Sequence, residues 1–406
     1  MEKEKSIKKI KILPKKPFFV GFFFVAVIFL SYTGFPKLVA TNYQVGKSDS
    51  KKEDVAKEEV WKATHIKTPE AVKGIYMTAC AASTPSFREN LVNLIDTTEL
   101  NSLVLNIKDE TGKIAFDMEN PILQGAIADM GKGECKITDI KEFIELLHQK
   151  NIYVIGRLPV FQDLYLTKTR PELAVKRASD GGVWQDRKGI RWLDAGSKEV
   201  WDYAFAIGEE SYNLGFDEIN FDYIRFPSDG NMKDIYYPFS EEKIALDPEH
   251  GKAKVMRDFF RYIGGKFKTL GVPTSADLFG MVTTNTDDLN IGQVLEYAAP
   301  FFDYIAPMVY PSHYPPNFNG WKNPNDYPYE VIHFTMGSAV TRLNIASTSP
   351  LKLRPWLQDF DYGGDYDASD VRAQIQATYD VGLTSWMLWS ASNKYTREAL
   401  KSANSQ

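Results

Sequence analysis

From residue 71 onward, short runs that are almost wholly apolar alternate with longer segments in which apolar residues recur every three or four positions. The short runs begin at Gly74 (GIYMTA), Ser102 (SLVLNIK), Ile152 (IYVIGRL), Glu218 (EINFDYI), Pro273 (PTSADLF), Tyr304 (YIAPMVY), Leu353 (LRPWLQD) and Thr384 (TSWMLWS). Between them FRENLVNLIDTTEL, ITDIKEFIELLHQK, VWDYAFAIGEESYNL, AKVMRDFFRYIGGKFKTL and DVRAQIQATYDV carry helical spacing. Strands joined by helix-length connections pair in parallel. Eight such units predict a (β/α)8 barrel of the TIM type over residues 70–402.

The junctions repeat as well. Gly215, Gly271 and Gly382 each stand between a helical segment and the next strand, where a left-handed residue ends a helix at little cost. Asn101 and Asn151 are expected to do the same at two further joints. An open doubly wound sheet is the architectural alternative. No G-x-G-x-x-G follows the first strand and no P-loop pattern occurs, so a nucleotide partner is not expected.

Within GFDEINFDYIRF the parity is informative. Ile219, Phe221 and Tyr223 are oily, while Glu218, Asn220 and Asp222 fall on the other face. The acids therefore point into the barrel, and an acid at the C-terminal end of a barrel strand is where catalytic groups stand. Collecting the other strand ends adds Lys108, Asp109, Arg157, Tyr223, Arg225, Asp277, Tyr310, His313, Trp356, Gln358, Asp359 and Trp389. Such a rim suits a carbohydrate, because aromatic faces stack on sugar rings while Arg, Lys, Gln and Asp bond hydroxyls.

Hydrolysis of a glycosidic bond needs two carboxyl groups, one to protonate the leaving oxygen and one to attack or to activate water. Asp222 and Asp277, on neighbouring strands, are the candidate pair. Asp222 is the expected nucleophile, kept ionised by Arg225 or Lys108, since an opposite charge lowers a carboxyl pKa. Asp277, in SADLFG, is the expected acid, its pKa raised by apolar neighbours. Asp109 and Asp359 are substitutes for the acid. The remaining rim residues are candidate substrate contacts.

Composition narrows the partners. The formal charge is −5, yet the first 40 residues hold eight Lys against two Glu, so the rest of the chain is distinctly acidic and a nucleic-acid partner is not expected. The five His show no H-x-x-x-H spacing and there are two cysteines, so neither a metal nor another cofactor is expected. Cys80 and Cys135 are compatible with one disulfide or with two thiols.

Residues 1–17 form a basic segment, and residues 18–35 (FFVGFFFVAVIFLSYTGF) carry no charge, a length at the lower edge of a membrane span. Lysines before the span place that end in the cytoplasm and the remainder outside. The expectation is a membrane anchor, with a cleaved secretion signal as the alternative. Residues 36–69 read as a polar linker.

VKGIYMTA, LIDTTELNSLVLNIKDETG, GFDEINFDYIRFPSDG, SADLFG, APMVYPSHY and SWMLWSASNKY together resemble a bacterial family described as a "putative glycosyl hydrolase domain", related to amylase-like and galactosidase-like barrels. The likeness runs over roughly residues 71–400. It implies an exported barrel with the nucleophile position at Asp222; the substrate is not inherited with the family, and the rim itself points to a cell-envelope or environmental polysaccharide. In amylase-like relatives the acid follows the fifth strand, where this chain has Asp277. In galactosidase-like relatives it follows the sixth, where MVYPSHY offers no carboxylate. The alternative function is a silent barrel that binds a surface glycan or an envelope-assembly partner.

Overall fold

The computed structural model describes residues 62–403. Eight parallel strands close into a barrel in sequence order: β1 (Lys73–Met77), β2 (Ser102–Asn106), β3 (Tyr153–Pro159), β4 (Glu218–Asp222), β5 (Thr274–Phe279), β6 (Tyr304–Met308), β7 (Trp356–Gln358) and β8 (Trp386–Trp389), with β8 pairing β1. The pleat divides each strand between two cores. Ile219, Phe221, Ala276 and Leu278 pack outward among helix residues, while Tyr76, Val104, Tyr153, Ile155, Trp356 and Met387 fill the interior.

Six longer helices clothe the barrel: α1 (Pro85–Asp96), α2 (Ile140–Gln149), α3 (Lys198–Asn213), α4 (Gly251–Leu270), α5 (Pro328–Ile345) and α6 (Ala368–Asp380). In α2, Ile140, Phe143, Ile144 and Leu147 make the single buried stripe that three-to-four spacing dictates. The β5–β6 crossover holds a 3-10 turn at Gly280–Thr283 and a one-turn α-helix, Leu295–Ala298, and β8 is followed by a 3-10 turn at Arg397–Ala399. α5 escaped the periodicity analysis. It buries Val331, Ile332, Thr335, Met336, Ala339 and Leu343, but Phe334 and Ile345 on its outer side blur the stripe.

Four of the five expected joints are left-handed: Asn151 (φ 56°), Gly215 (113°), Gly271 (71°) and Gly382 (85°). Asn101 is not among them. Its amide instead bonds across strands, accepting from the Lys73 N–H at 2.9 Å and donating to the Ala71 carbonyl at 2.7 Å.

The basal end of the interior is closed by charge pairing. Arg354 reaches the Glu218 carboxylate at 2.8 and 3.1 Å, both side chains are buried, and the Tyr153 hydroxyl donates to Glu218 at 3.1 Å. Arg354 thus lies at the base of the barrel, before β7 begins. Residues 62–69, assigned to the linker, lie against this base: the Ile66 N–H donates to Asp217 at 2.6 Å, Thr68 meets the Tyr153 hydroxyl at 3.0 Å, and His65 stacks on Tyr212. The basic segment, the anchor and the rest of the linker fall outside the described residues. Among the described residues no helix is long and apolar enough to cross a membrane. Cys80 and Cys135 form a disulfide, Cα atoms 4.8 Å apart, which ties the start of the β1–α1 connection to the long excursion between β2 and α2.

Candidate active site

The strand parity delivers Asn220 and Asp222 of β4, Ser275 and Asp277 of β5, and Arg157 of β3 into the upper interior. Register places Asn220 beside Arg157 and beside Ser275, so these groups share adjacent layers. Both oxygens of Asp222 are engaged. Its Oδ1 accepts the Tyr223 N–H at 2.6 Å, and its Oδ2 accepts Arg157 through Nε at 2.9 Å and through Nη2. Tyr223 adopts φ 50°, a left-handed value uncommon for an aromatic residue, at the point where its N–H meets the Asp222 carboxylate. The remaining Arg157 nitrogen, Nη1, donates to Asn106 at 3.0 Å. The guanidinium lies 5.0 Å from the Trp389 ring centre and 5.5 Å from that of Tyr76, which holds a buried cation against aromatic faces.

The counterion of Asp222 is therefore Arg157, and neither Arg225 nor Lys108 fills that role. Lys108 turns away from the mouth. Its Nζ lies 2.6 Å from Asp163 Oδ2 in a buried pair, and Asp163 Oδ1 caps the short helix Leu164–Thr169 by accepting the Leu166 N–H. A lysine at this depth needs a partner, and the one it has belongs to the β3 excursion. Arg225 donates to the Phe226 carbonyl and to Ser228 Oγ, both at 3.1 Å, with its guanidinium 5.0 Å from the Trp192 ring centre.

Asp277 is 1% exposed. Asn220 Nδ2 and Trp356 Nε1 both donate to its Oδ1, at 2.9 and 2.8 Å. Burial pushes its carboxyl well above the usual range, and the neighbouring Asp222 charge pushes the same way; Arg157, Asn220 and Trp356 oppose them. One arginine thus serves two carboxyl groups. Burial also raises the Tyr310 hydroxyl, reinforced by the charges of Asp277 and then Asp222.

Above these groups the mouth opens into two lobes. The first, about 640 Å³, is lined by Asp109, Arg157, Tyr223, Arg225 and Trp389 of the expected set. The second, about 740 Å³, is lined by Tyr310, His313, Asp359 and again Trp389. Asp222, 3% exposed, and Asp277 lie below the lobes and form no part of either lining. Two expected contacts are internal supports instead. Trp356 is buried and spends its N–H on Asp277, and Gln358 is buried, accepting the Ser312 N–H at 3.1 Å and donating to the Phe360 carbonyl at 3.0 Å.

Of the substitute acids, Asp359 accepts the Thr396 N–H and hydroxyl at 3.0 and 2.7 Å, and burial raises its carboxyl. Asp109 bonds Thr111 within its own turn. Burial lowers the His313 imidazole, assisted by the charge of Lys188.

Sequence reasoning missed Asn106, Asn220, Tyr76 and Lys188. Asn220 and Tyr76 share the inward parity that selected Asp222, so alternation contained the signal. Lys188 sits in a long connection without periodicity and offered none. Among the described residues, no three His, Cys, Asp or Glu side chains gather as metal donors.

Solved structures share this architecture. The chain is similar to the PgaB (BpsB) glycoside hydrolase domain from Bordetella bronchiseptica, with 13% identity and TM-score 0.58 over 80% of this chain and 95% of that one. It is similar to α-L-fucosidase isoenzyme 2 from Paenibacillus thiaminolyticus, with 11% identity and TM-score 0.54 over 81% and 48%. A hypothetical protein from Ruminiclostridium thermocellum shares 32% identity over 50% of this chain and 96% of that one, with TM-score 0.42. At such low identity the first two establish the barrel fold alone. No curated protein matches the sequence. The family model described as "Putative glycosyl hydrolase domain" matches residues 74–395, nearly the whole barrel, and the chain belongs to that glycoside hydrolase family.

Proposed function

We propose that the barrel is exported and hydrolyses O-glycosidic bonds of a cell-envelope or environmental polysaccharide, with Asp222 as nucleophile and Asp277 as acid and base. The observation that carries this reading is the unequal treatment of two neighbouring carboxyls. Asp222 is bonded to the Arg157 guanidinium, while Asp277 is buried without a cation of its own, which raises its carboxyl well above the usual range. A sugar whose scissile bond settles between them meets a carboxylate on one side and a carboxylic acid on the other. Asp222 attacks the anomeric carbon, Asp277 gives its proton to the leaving oxygen, and the resulting Asp277 carboxylate then takes a proton from the water that releases the sugar. Arg157, set in its aromatic box, returns Asp222 to the same position after each cycle.

Export is supported by the basic and apolar N-terminal segments and by the Cys80–Cys135 disulfide, since such bonds persist outside the reducing cytoplasm. The second reading, a silent barrel that holds a glycan, draws support from the full engagement of both Asp222 oxygens.

The test is reducing-end release by the purified chain from a neutral glucan, an anionic uronan, an N-acetylated polyglucosamine and its free-amine form. Asp222→Asn is expected to lower turnover about a thousandfold or more, the scale on which loss of a nucleophile acts. Unchanged turnover in a folded Asp222→Asn variant refutes the assignment. Binding that survives in Asp222→Asn with Asp277→Asn, with no turnover by the parent on any of the four, establishes the silent barrel.

A further inference from the structure

We propose that the two lobes act as one groove, in which a polysaccharide lies across the barrel mouth with sugars on both sides of Trp389 and is cut internally. The cutting part rests on the assignment of Asp222 and Asp277 above; the groove itself stands on the cavity.

The lobes adjoin, for Lys188, Trp389 and Ala391 line both. Trp389 is braced from two directions: it stacks on Tyr76 with centroids 4.1 Å apart and meets Trp356 edge-on at 5.5 Å. A half-buried indole fixed in this way is a platform for the apolar face of a sugar ring. The acids sit beneath this junction. Arg157 and Tyr223, the bonding partners of Asp222, belong to the first lobe, and Trp389, which lines both lobes, meets edge-on the Trp356 ring whose N–H donates to Asp277. An enzyme that trims chain ends needs a pocket that closes just past the bond it cuts. Here the cavity continues in both directions from the acids.

Both lobes mix charge with flat rings: Asp109, Glu110 and Arg225 stand with Trp192 and Tyr223 in the first, and Asp359, Asp361 and Lys394 with Phe360, Tyr362 and Tyr366 in the second. Lys188, from the connection after β3, lines both lobes, and its charge bears on His313 after β6, so it spans the junction. A chain is thus gripped by hydroxyl bonding and by stacking on both sides of Trp389.

The experiment has two arms, both with the purified full-length chain. Binding of a length series from each of the four polysaccharides is measured first, with affinity expected to climb until an oligomer fills both lobes. Affinity that stops rising once one lobe is filled overturns the groove. On any polymer that yields reducing ends, product size is then followed by size-exclusion chromatography. Internal cutting predicts that mean chain length falls about twofold while mono- and disaccharides are still minor products. Release of short saccharides at constant polymer length overturns internal cutting and leaves the catalytic assignment intact. Length-dependent binding without any reducing ends sustains the groove and removes the catalytic assignment. Tyr362→Ala and Glu110→Gln, one in each lobe, are each expected to raise KM for the polymer about fivefold with kcat nearly unchanged, the scale of one stacking or hydroxyl contact. If only one of the two variants shifts KM, a single lobe binds and the groove fails.

Discussion

The barrel interior carries an arginine and a carboxylate at each end, and the two ends are balanced differently. At the base one cation meets one anion: Arg354 holds Glu218 through two contacts, Tyr153 adds a third hydrogen bond, and residues 62–69 cover the assembly. At the mouth one cation serves two acids. Arg157 is committed to Asp222, so Asp277 has hydrogen-bond donors and no counterion of its own, and burial raises its carboxyl well above the usual range. A buried pair whose charges cancel is structural, and here it holds although Arg354 Nε is buried without an acceptor. An unmatched set leaves a proton to move, and below an open cleft that proton is available for chemistry.

Removing one partner at the base should produce the largest loss of stability. Glu218→Gln leaves the Arg354 charge buried without its anion, and urea denaturation is expected to show a loss of about 3–5 kcal/mol. A loss of this size at the base, with specific activity of the folded fraction retained, sharpens the contrast; a change under about 1 kcal/mol breaks it.

The mouth should respond in activity before stability. Arg157→Met removes the one cation, so Asp222 loses its bonding partner and Asp277 loses the charge that opposes its raised pKa; kcat is expected to drop about tenfold to a hundredfold, and the basic limb of the pH–rate profile, set by the proton of Asp277, to move to higher pH. An unmoved basic limb shows that the Arg157 charge does not act on Asp277.

The disulfide ties together two excursions at the mouth and closes a 55-residue separation. Cys80→Ser with Cys135→Ser is expected to cost about 2–4 kcal/mol, measured by thermal or urea unfolding under oxidising conditions. Reductant should weaken the parent chain and leave the double variant unaffected.

The subtlest effect is the pH dependence of stability. The Asp277 pKa is higher folded than unfolded, so between the ordinary carboxyl value and the folded one the native state binds more protons, and stability falls as pH rises. Asp277→Asn keeps an oxygen to accept from Asn220 and Trp356 but has no proton to lose. Its Tm relative to the parent is therefore expected to rise with pH across that window, and a constant difference contradicts the shift.

How far the sequence disclosed this follows from the range of the forces involved. Alternation along one strand is a local signal, and it placed Ile219 and Phe221 outward with Asn220 and Asp222 inward. Spacing along helices was equally local, and it failed at α5, where Phe334 and Ile345 masked the stripe. The pairing of charges is not local. Arg157 reaches Asp222 from the neighbouring strand, and Lys108 leaves the mouth because Asp163, 55 positions later, takes it. Nothing in the strand pattern of LNIKDE distinguishes an inward lysine from one captured by a loop. Trp356 and Gln358 show the same limit: their strand end predicted a place at the mouth, but the depth at which they bond Asp277 and the Phe360 carbonyl depends on closure of the whole barrel.

The most direct measurement is the titration of Asp277 itself, followed by carboxyl carbon NMR in the parent chain and in Asp222→Asn. With one cation between two acids, Asp277 should be protonated well above the ordinary carboxyl range, and neutralising Asp222 should bring its titration down. If Asp277 titrates near pH 4 in the parent, or does not respond to loss of the Asp222 charge, the two groups do not share a proton economy and the account of the mouth is wrong.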